Sequence, residues 1–131
     1  IILCLVLLGL AVSFFGQKPA TEINNDDTSA QITPEETRIL RVYTITYKSG
    51  VFSPTNLRIH AGDTVRFKNE GFFGIRVASD PHPSHTDLPG FDSIGDIPQN
   101  SYFSFTFAEK GIFGYHNENS LEEGGTIIVR W

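Results

Sequence analysis

Four side chains in the second half of this 131-residue sequence have the types and spacing to hold a metal ion. His82 and His85 stand three residues apart in the proline-rich run that begins at Asp80, and His116 and Glu118 stand two apart just after Tyr115. Imidazole nitrogen combined with carboxylate oxygen suits Cu(II), Zn(II) or Ni(II). Asp80 is a further candidate oxygen donor. No sulfur donor is at hand, since the one cysteine is Cys4 and the sequence holds no methionine. A metal-free reading stays open beside this one. Histidines in polar loops commonly bond solvent or backbone, and Glu118, Glu122 and Glu123 read equally well as a solvated acidic turn. His60, beside a turn, is read as a surface residue.

Other chemistries find less support. The serines lie in no nucleophile-elbow pattern, so no Ser-His-Asp arrangement can be argued. No glycine-rich loop leads into a helix that would cradle phosphate. The expected role is therefore binding, with no enzymatic activity and no cofactor other than a metal.

The segments that must position these residues read as short strands. Residues 39–47 place Ile39, Tyr43, Ile45 and Tyr47 on one face. Residues 57–60 turn Leu57 and Ile59 inward, and 64–69 do the same with Val65 and Phe67 while Arg66 and Lys68 face out. A fourth strand is expected over 71–77, loosened by Gly71 and Gly74. A long loop from 80 to 98 then carries His82 and His85, and loops of that length in small domains are usually functional or disordered. Phe103, Phe105 and Phe107 share one face of the next strand, and 111–115 and 126–131 supply the last two. Short strands separated by turns, without helical periodicity, point to an all-β sandwich.

The rest of the chain differs in composition. Residues 1–16 are almost wholly apolar and uncharged, which reads as a signal peptide or a membrane anchor, with an extracytoplasmic location to follow. Residues 17–37 read as a flexible acidic linker. The linker sets Lys18 against Glu22, Asp26, Asp27, Glu35 and Glu36, so four of the five net negative charges sit there. The domain expected at 38–131 is then nearly neutral, which argues against nucleic acid as a partner. A metal ion and a surface or envelope protein remain as partners, with the membrane itself if the first segment is retained.

Phe52-Ser-Pro54, Ala61-Gly-Asp-Thr-Val65, Phe67-Lys-Asn69, Phe105-Thr-Phe107, Gly111-Ile-Phe-Gly-Tyr115 and Gly125-Thr-Ile-Ile-Val129 follow one another in the chain. In that order they resemble the cupredoxin family, most of all the small plastocyanin-like domains of exported bacterial and archaeal proteins. The resemblance implies a Greek-key β-sandwich and a copper ion held by two His, one Cys and a weak axial Met. Those positions fall near Ile75 for the first His, on Asn117 for the Cys, near Ser120 for the second His and near Glu123 for the Met, so the usual set is missing. In the branch of the family with a Pro-His-Pro-Ser-His loop, the last loop resembles His-Asn-His. His116 and Asn117 match it, and Glu118 replaces its second His. The fold would bring the two loops to one end, giving a thiolate-free site of His82, His85, His116 and Glu118 with copper as the leading ion. A metal-free sandwich acting as an interaction or structural module is the alternative, and an ordinary blue-copper electron carrier is the least supported reading. Phe72 and Phe73 are expected to fill the core where the family's first His would stand, the other option being an exposed apolar patch for a partner.

Overall fold

The computed structural model describes residues 37–131, and the segments read as signal or anchor (1–16) and linker (17–37) lie outside the described residues except for Thr37. Eight strands follow in order: β1 (Val42–Lys48), β2 (Val51–Ser53), β3 (Asn56–His60), β4 (Thr64–Asn69), β5 (Val77–Ser79), β6 (Tyr102–Thr106), β7 (Gly111–Asn117) and β8 (Ser120–Arg130). Among the described residues there is no helix. The strands form two four-stranded mixed sheets, in the orders β2-β1-β4-β6 and β3-β8-β7-β5. The pairs β1 with β4 and β3 with β8 are parallel, and the other pairs are antiparallel.

Side-chain alternation explains why these sheets meet face to face. Along β4, Val65, Phe67 and Asn69 are buried while Thr64, Arg66 and Lys68 are partly exposed. Ile45, Val65 and Phe67 of one sheet close on Ile59, Val77, Phe113, Tyr115, Ile127 and Val129 of the other. Aromatic rings dominate the middle, with the Phe67 centroid 5.1 Å from that of Tyr115 and 5.6 Å from that of Phe91. Each such pair adds about 0.5–1.5 kcal/mol beyond the area it buries, which suits a domain with no disulfide to support it. The buried carboxylate of Asp63 accepts from the amides of Arg41 and His60, tying the β3–β4 turn to the start of β1.

Three expectations are corrected. Ile39 is 80 % exposed and precedes β1, so the inward face of that strand starts at Tyr43. The strand expected over 71–77 is reduced to β5, with Ile75 making a single bridge to Ile97. The cause is Asn69, whose side chain accepts from Gly71 N and donates to the carbonyls of Phe73 and Ile97, drawing off backbone groups that a strand would pair. Phe72 and Phe73 consequently ride on the outside of this turn, 85 % and 83 % exposed, and fill no core. Phe91, from the long loop, is the ring that the core takes instead.

That loop also extends a sheet. Ser79 N donates to Phe91 O and Ser93 N to Val77 O, each at 2.8 Å, and Ala78 bridges Asp92, so residues 91–93 run antiparallel along β5.

Candidate metal centre

Strand alternation sets which side of the β3-β8-β7-β5 sheet each residue serves. On β7, Phe113 and Tyr115 turn into the core, so Gly114 and His116 point away from it. His116 pairs with Ala78 of β5, and Ala78 with Asp92, which places a histidine, a small residue and a carboxylate in one row across the outer face.

The loop from 80 to 90 folds down over that row. It is held by Asp87 N donating to Asp80 O (3.0 Å), by Leu88 N donating to Ser79 Oγ (3.0 Å), and by the burial of Leu88 and Phe91. His85 N donates to Pro81 O at 2.7 Å, and His85 itself has φ 54. A left-handed conformation costs a residue with a Cβ about 1 kcal/mol, so the backbone alone would favour glycine, and it is the imidazole that the position gains. Gly114 answers a different need, because a Cβ there would collide with the Asp80 carboxylate that lies above it.

The imidazoles converge on one atom. Glu118 Oε2 lies 2.8 Å from His82 Nδ1, 2.8 Å from His116 Nε2 and 3.2 Å from His85 Nε2. One ligand atom from each of the four residues falls within 4.8 Å of every other. The His85 contact is poorly aligned, which leaves that buried nitrogen without a hydrogen-bond partner. Burial pushes the Glu118 carboxyl up, but the His116, His82 and His85 imidazoles together outweigh it and hold the group down to about 2. His116 is buried, Glu118 and His85 are largely covered, and His82 has a side chain 45 % exposed, so the cluster opens to solvent on the His82 side.

A second ring of groups orients the first. Asp80 Oδ1 lies 2.6 Å from His116 Nδ1, which fixes the ring so that Nε2 faces Glu118 in the cluster. Asp92 Oδ2 stands 3.8 Å from His85 Nδ1 on the equivalent side. Arg76 fixes Asp92 by donating Nε and Nη2 to its two carboxylate oxygens at 3.1 and 2.8 Å. That pairing holds the Asp92 carboxyl below its ordinary value.

All four residues picked out by type and spacing thus lie together, and Asp80 lies beside them on the far nitrogen of His116 instead of among the donor atoms. His60 is on β3 and takes no part. Arg76 and Asp92 escaped the sequence reading. They are sixteen residues apart and in no motif, and only the pairing of 91–93 with β5 reveals them.

The sequence matches no family model and no curated protein. Solved structures do resemble the fold. A purple cupredoxin from Nitrosopumilus maritimus aligns with a TM-score of 0.59 at 22 % identity, over 66 % of this chain and 98 % of that one. A methionine-to-alanine variant of amicyanin with Cu(I) aligns with a TM-score of 0.60 at 20 % identity, over 68 % and 82 %. The reduced Cu(I) form of another amicyanin variant at pH 4 gives a TM-score of 0.60 at 21 % identity over the same shares. The domain is thus cupredoxin-like in fold.

The residues at the family's ligand positions do not fit a thiolate-bound copper. Ile75 is buried in the core, and Ser120 pairs with Asn117 across the β7–β8 turn. Asn117, buried on the core side, accepts from Arg76 N (3.0 Å) and Asn119 N (3.1 Å) and donates to Glu123 Oε1 (3.0 Å). Glu123 Oε1 also accepts from the Tyr47 hydroxyl at 2.7 Å. These groups satisfy one another, and an amide oxygen is no substitute for a thiolate in a copper site that cycles.

Proposed function

We propose that this chain is a metal-binding domain that holds a divalent ion, copper(II) first among them, through His82, His85, His116 and Glu118 without any thiolate. One observation carries the reading: three imidazole nitrogens from two separate segments stand within 3.2 Å of a single carboxylate oxygen. Three nitrogens and one oxygen make a donor set for Cu(II), Zn(II) or Ni(II). The Asp80 contact to His116 supports it, since metal-binding histidines regularly give their other nitrogen to a carboxylate. The role is binding and not catalysis. The apolar run at 1–16 supports an extracytoplasmic domain tethered to a membrane, which fractionation of cells producing the full chain would test.

A Cu(II) titration of residues 38–131, followed by calorimetry and electron paramagnetic resonance, is the direct experiment. Saturable one-to-one binding with nitrogen hyperfine structure is expected, without the intense thiolate-to-copper absorption band. Binding no stronger than that of a His-free variant would overturn the reading.

A second reading, a metal-free interaction module, is favoured by the exposure of Phe72 and Phe73 on a turn fixed by Asn69. It predicts equal melting temperatures with chelator and with copper, whereas metal binding to the native state must raise the latter.

A further inference from the structure

Building on that metal-binding reading, we propose that Glu118 makes the centre selective for copper(II) over copper(I), so that it holds one oxidation state instead of cycling between two. The donor set is the first ground. A carboxylate oxygen stands at the focus of three imidazoles, and soft sulfur ligands, which favour Cu(I), are absent from the described residues. Carboxylate oxygen is a hard ligand, better matched to the more highly charged ion.

Charge is the second ground. Three carboxylates surround the focus: Glu118 directly, Asp80 on the far nitrogen of His116 at 2.6 Å, and Asp92 at 3.8 Å from His85 Nδ1. Among the described residues, the one cation bonded to them is Arg76, on Asp92. With neutral imidazoles the local formal charge is about −2, which a divalent ion neutralises and a monovalent one leaves half compensated. Asp80 strengthens the preference by drawing on the His116 proton, which makes Nε2 the more basic donor.

Geometry lets both grounds act on a single ion. The donors arrive from two segments, His82 and His85 from the loop and His116 and Glu118 from the end of β7 and the turn after it, and all lie within 4.8 Å of one another. Four convergent donors serve a four-coordinate ion.

The test is a pair of competition titrations on the protein, one with Cu(II) against a chromophoric chelator and one, without oxygen, with Cu(I) against a Cu(I)-specific chelator. Cu(II) is expected to bind about 100-fold more tightly or better, which at about 59 mV per tenfold for one electron places the couple about 120 mV below that of the free ion. Glu118→Gln, which keeps the size and an oxygen acceptor, should narrow the ratio tenfold or more. Glu118→His, supplying a fourth imidazole, should narrow it as well and guards against a Gln variant that does not fold. Comparable affinities for both ions in the unaltered protein would overturn the selectivity, an unchanged ratio in both variants would overturn Glu118 as its source, and either result would leave the metal reading intact. Failure of the unaltered protein to bind either ion would overturn the metal reading itself.

Discussion

The two faces of β7 near its C-terminal end carry opposite chemistry one peptide apart. Away from the core, His116 meets Asp80, His82, His85 and Glu118 in a cluster whose nitrogens point at one spot. Toward the core, Asn117 meets Arg76 N, Asn119 N and Glu123 in hydrogen bonds that leave nothing converging on an empty point. The first arrangement collects electron-pair donors, and the second consumes them. Because successive strand residues face opposite sides, a ligand position can be converted to structure on one face while a different set assembles on the other, with the sheet itself unchanged. Fold membership decides neither outcome, since function lies in the site.

The largest expected effect separates the faces directly. His116→Ala should weaken Cu(II) binding by more than the roughly 10–100-fold that loss of an outer partner brings, while Asn117→Ala should leave affinity nearly unchanged. Asn117→Ala should instead lower unfolding free energy by about 1–3 kcal/mol, the usual cost of leaving a buried polar partner unsatisfied. Calorimetric titration and urea unfolding of both variants would check this, and an Asn117 variant that lost metal would break the comparison.

Asp80→Asn comes next, with an expected loss of about 10–100-fold in Cu(II) affinity and little change in the melting temperature of the metal-free protein. Gly114→Ala should act in the same direction, because its Cβ would push the Asp80 carboxylate off the sheet. Were both variants to bind as the unaltered protein does, Asp80 would be a bystander. The outer face would then owe its order to the loop alone.

How much of this was legible beforehand follows the same division. Six of the eight strands, all but β2 and β5, can be read from local pattern, and the four candidate ligands from residue type and spacing, because those signals are local. What was lost was non-local. Asn69 diverts the backbone of 71–75 through hydrogen bonds that no periodicity records, so local pattern places Phe72 and Phe73 in a core that they do not enter. Arg76 and Asp92 meet only because 91–93 pairs with β5. Asp80 could be named as a donor, but its place on the far nitrogen of His116 depends on the bare backbone at Gly114.

A smaller contrast concerns the rings. Phe91→Ala should cost about 3–5 kcal/mol, as large core truncations do, whereas Phe72→Ala and Phe73→Ala should stay within about 0.5 kcal/mol. Chemical denaturation of the three variants measures the difference. A large penalty at Phe72 or Phe73 would return one of them to the core.

The smallest effect lies in the alkaline range and belongs to the core-side network alone. Burial, then the hydrogen bond to Glu123 and its charge, push the Tyr47 hydroxyl up to about 12. An unfolded tyrosine titrates near pH 10, so between those values the unfolded chain gives up its proton first. Stability from this group is therefore complete below about pH 10 and is lost as pH rises toward 12. Tyr47→Phe should flatten that part of the decline in urea midpoint measured with chelator present from about pH 9 upward. Part of the slope should remain, because burial also raises Tyr115. His116→Ala, on the other face, should leave the alkaline slope as it is. If instead His116→Ala removed the slope and Tyr47→Phe did not, the Asn117–Glu123–Tyr47 group could not be the independent unit that its hydrogen bonds describe.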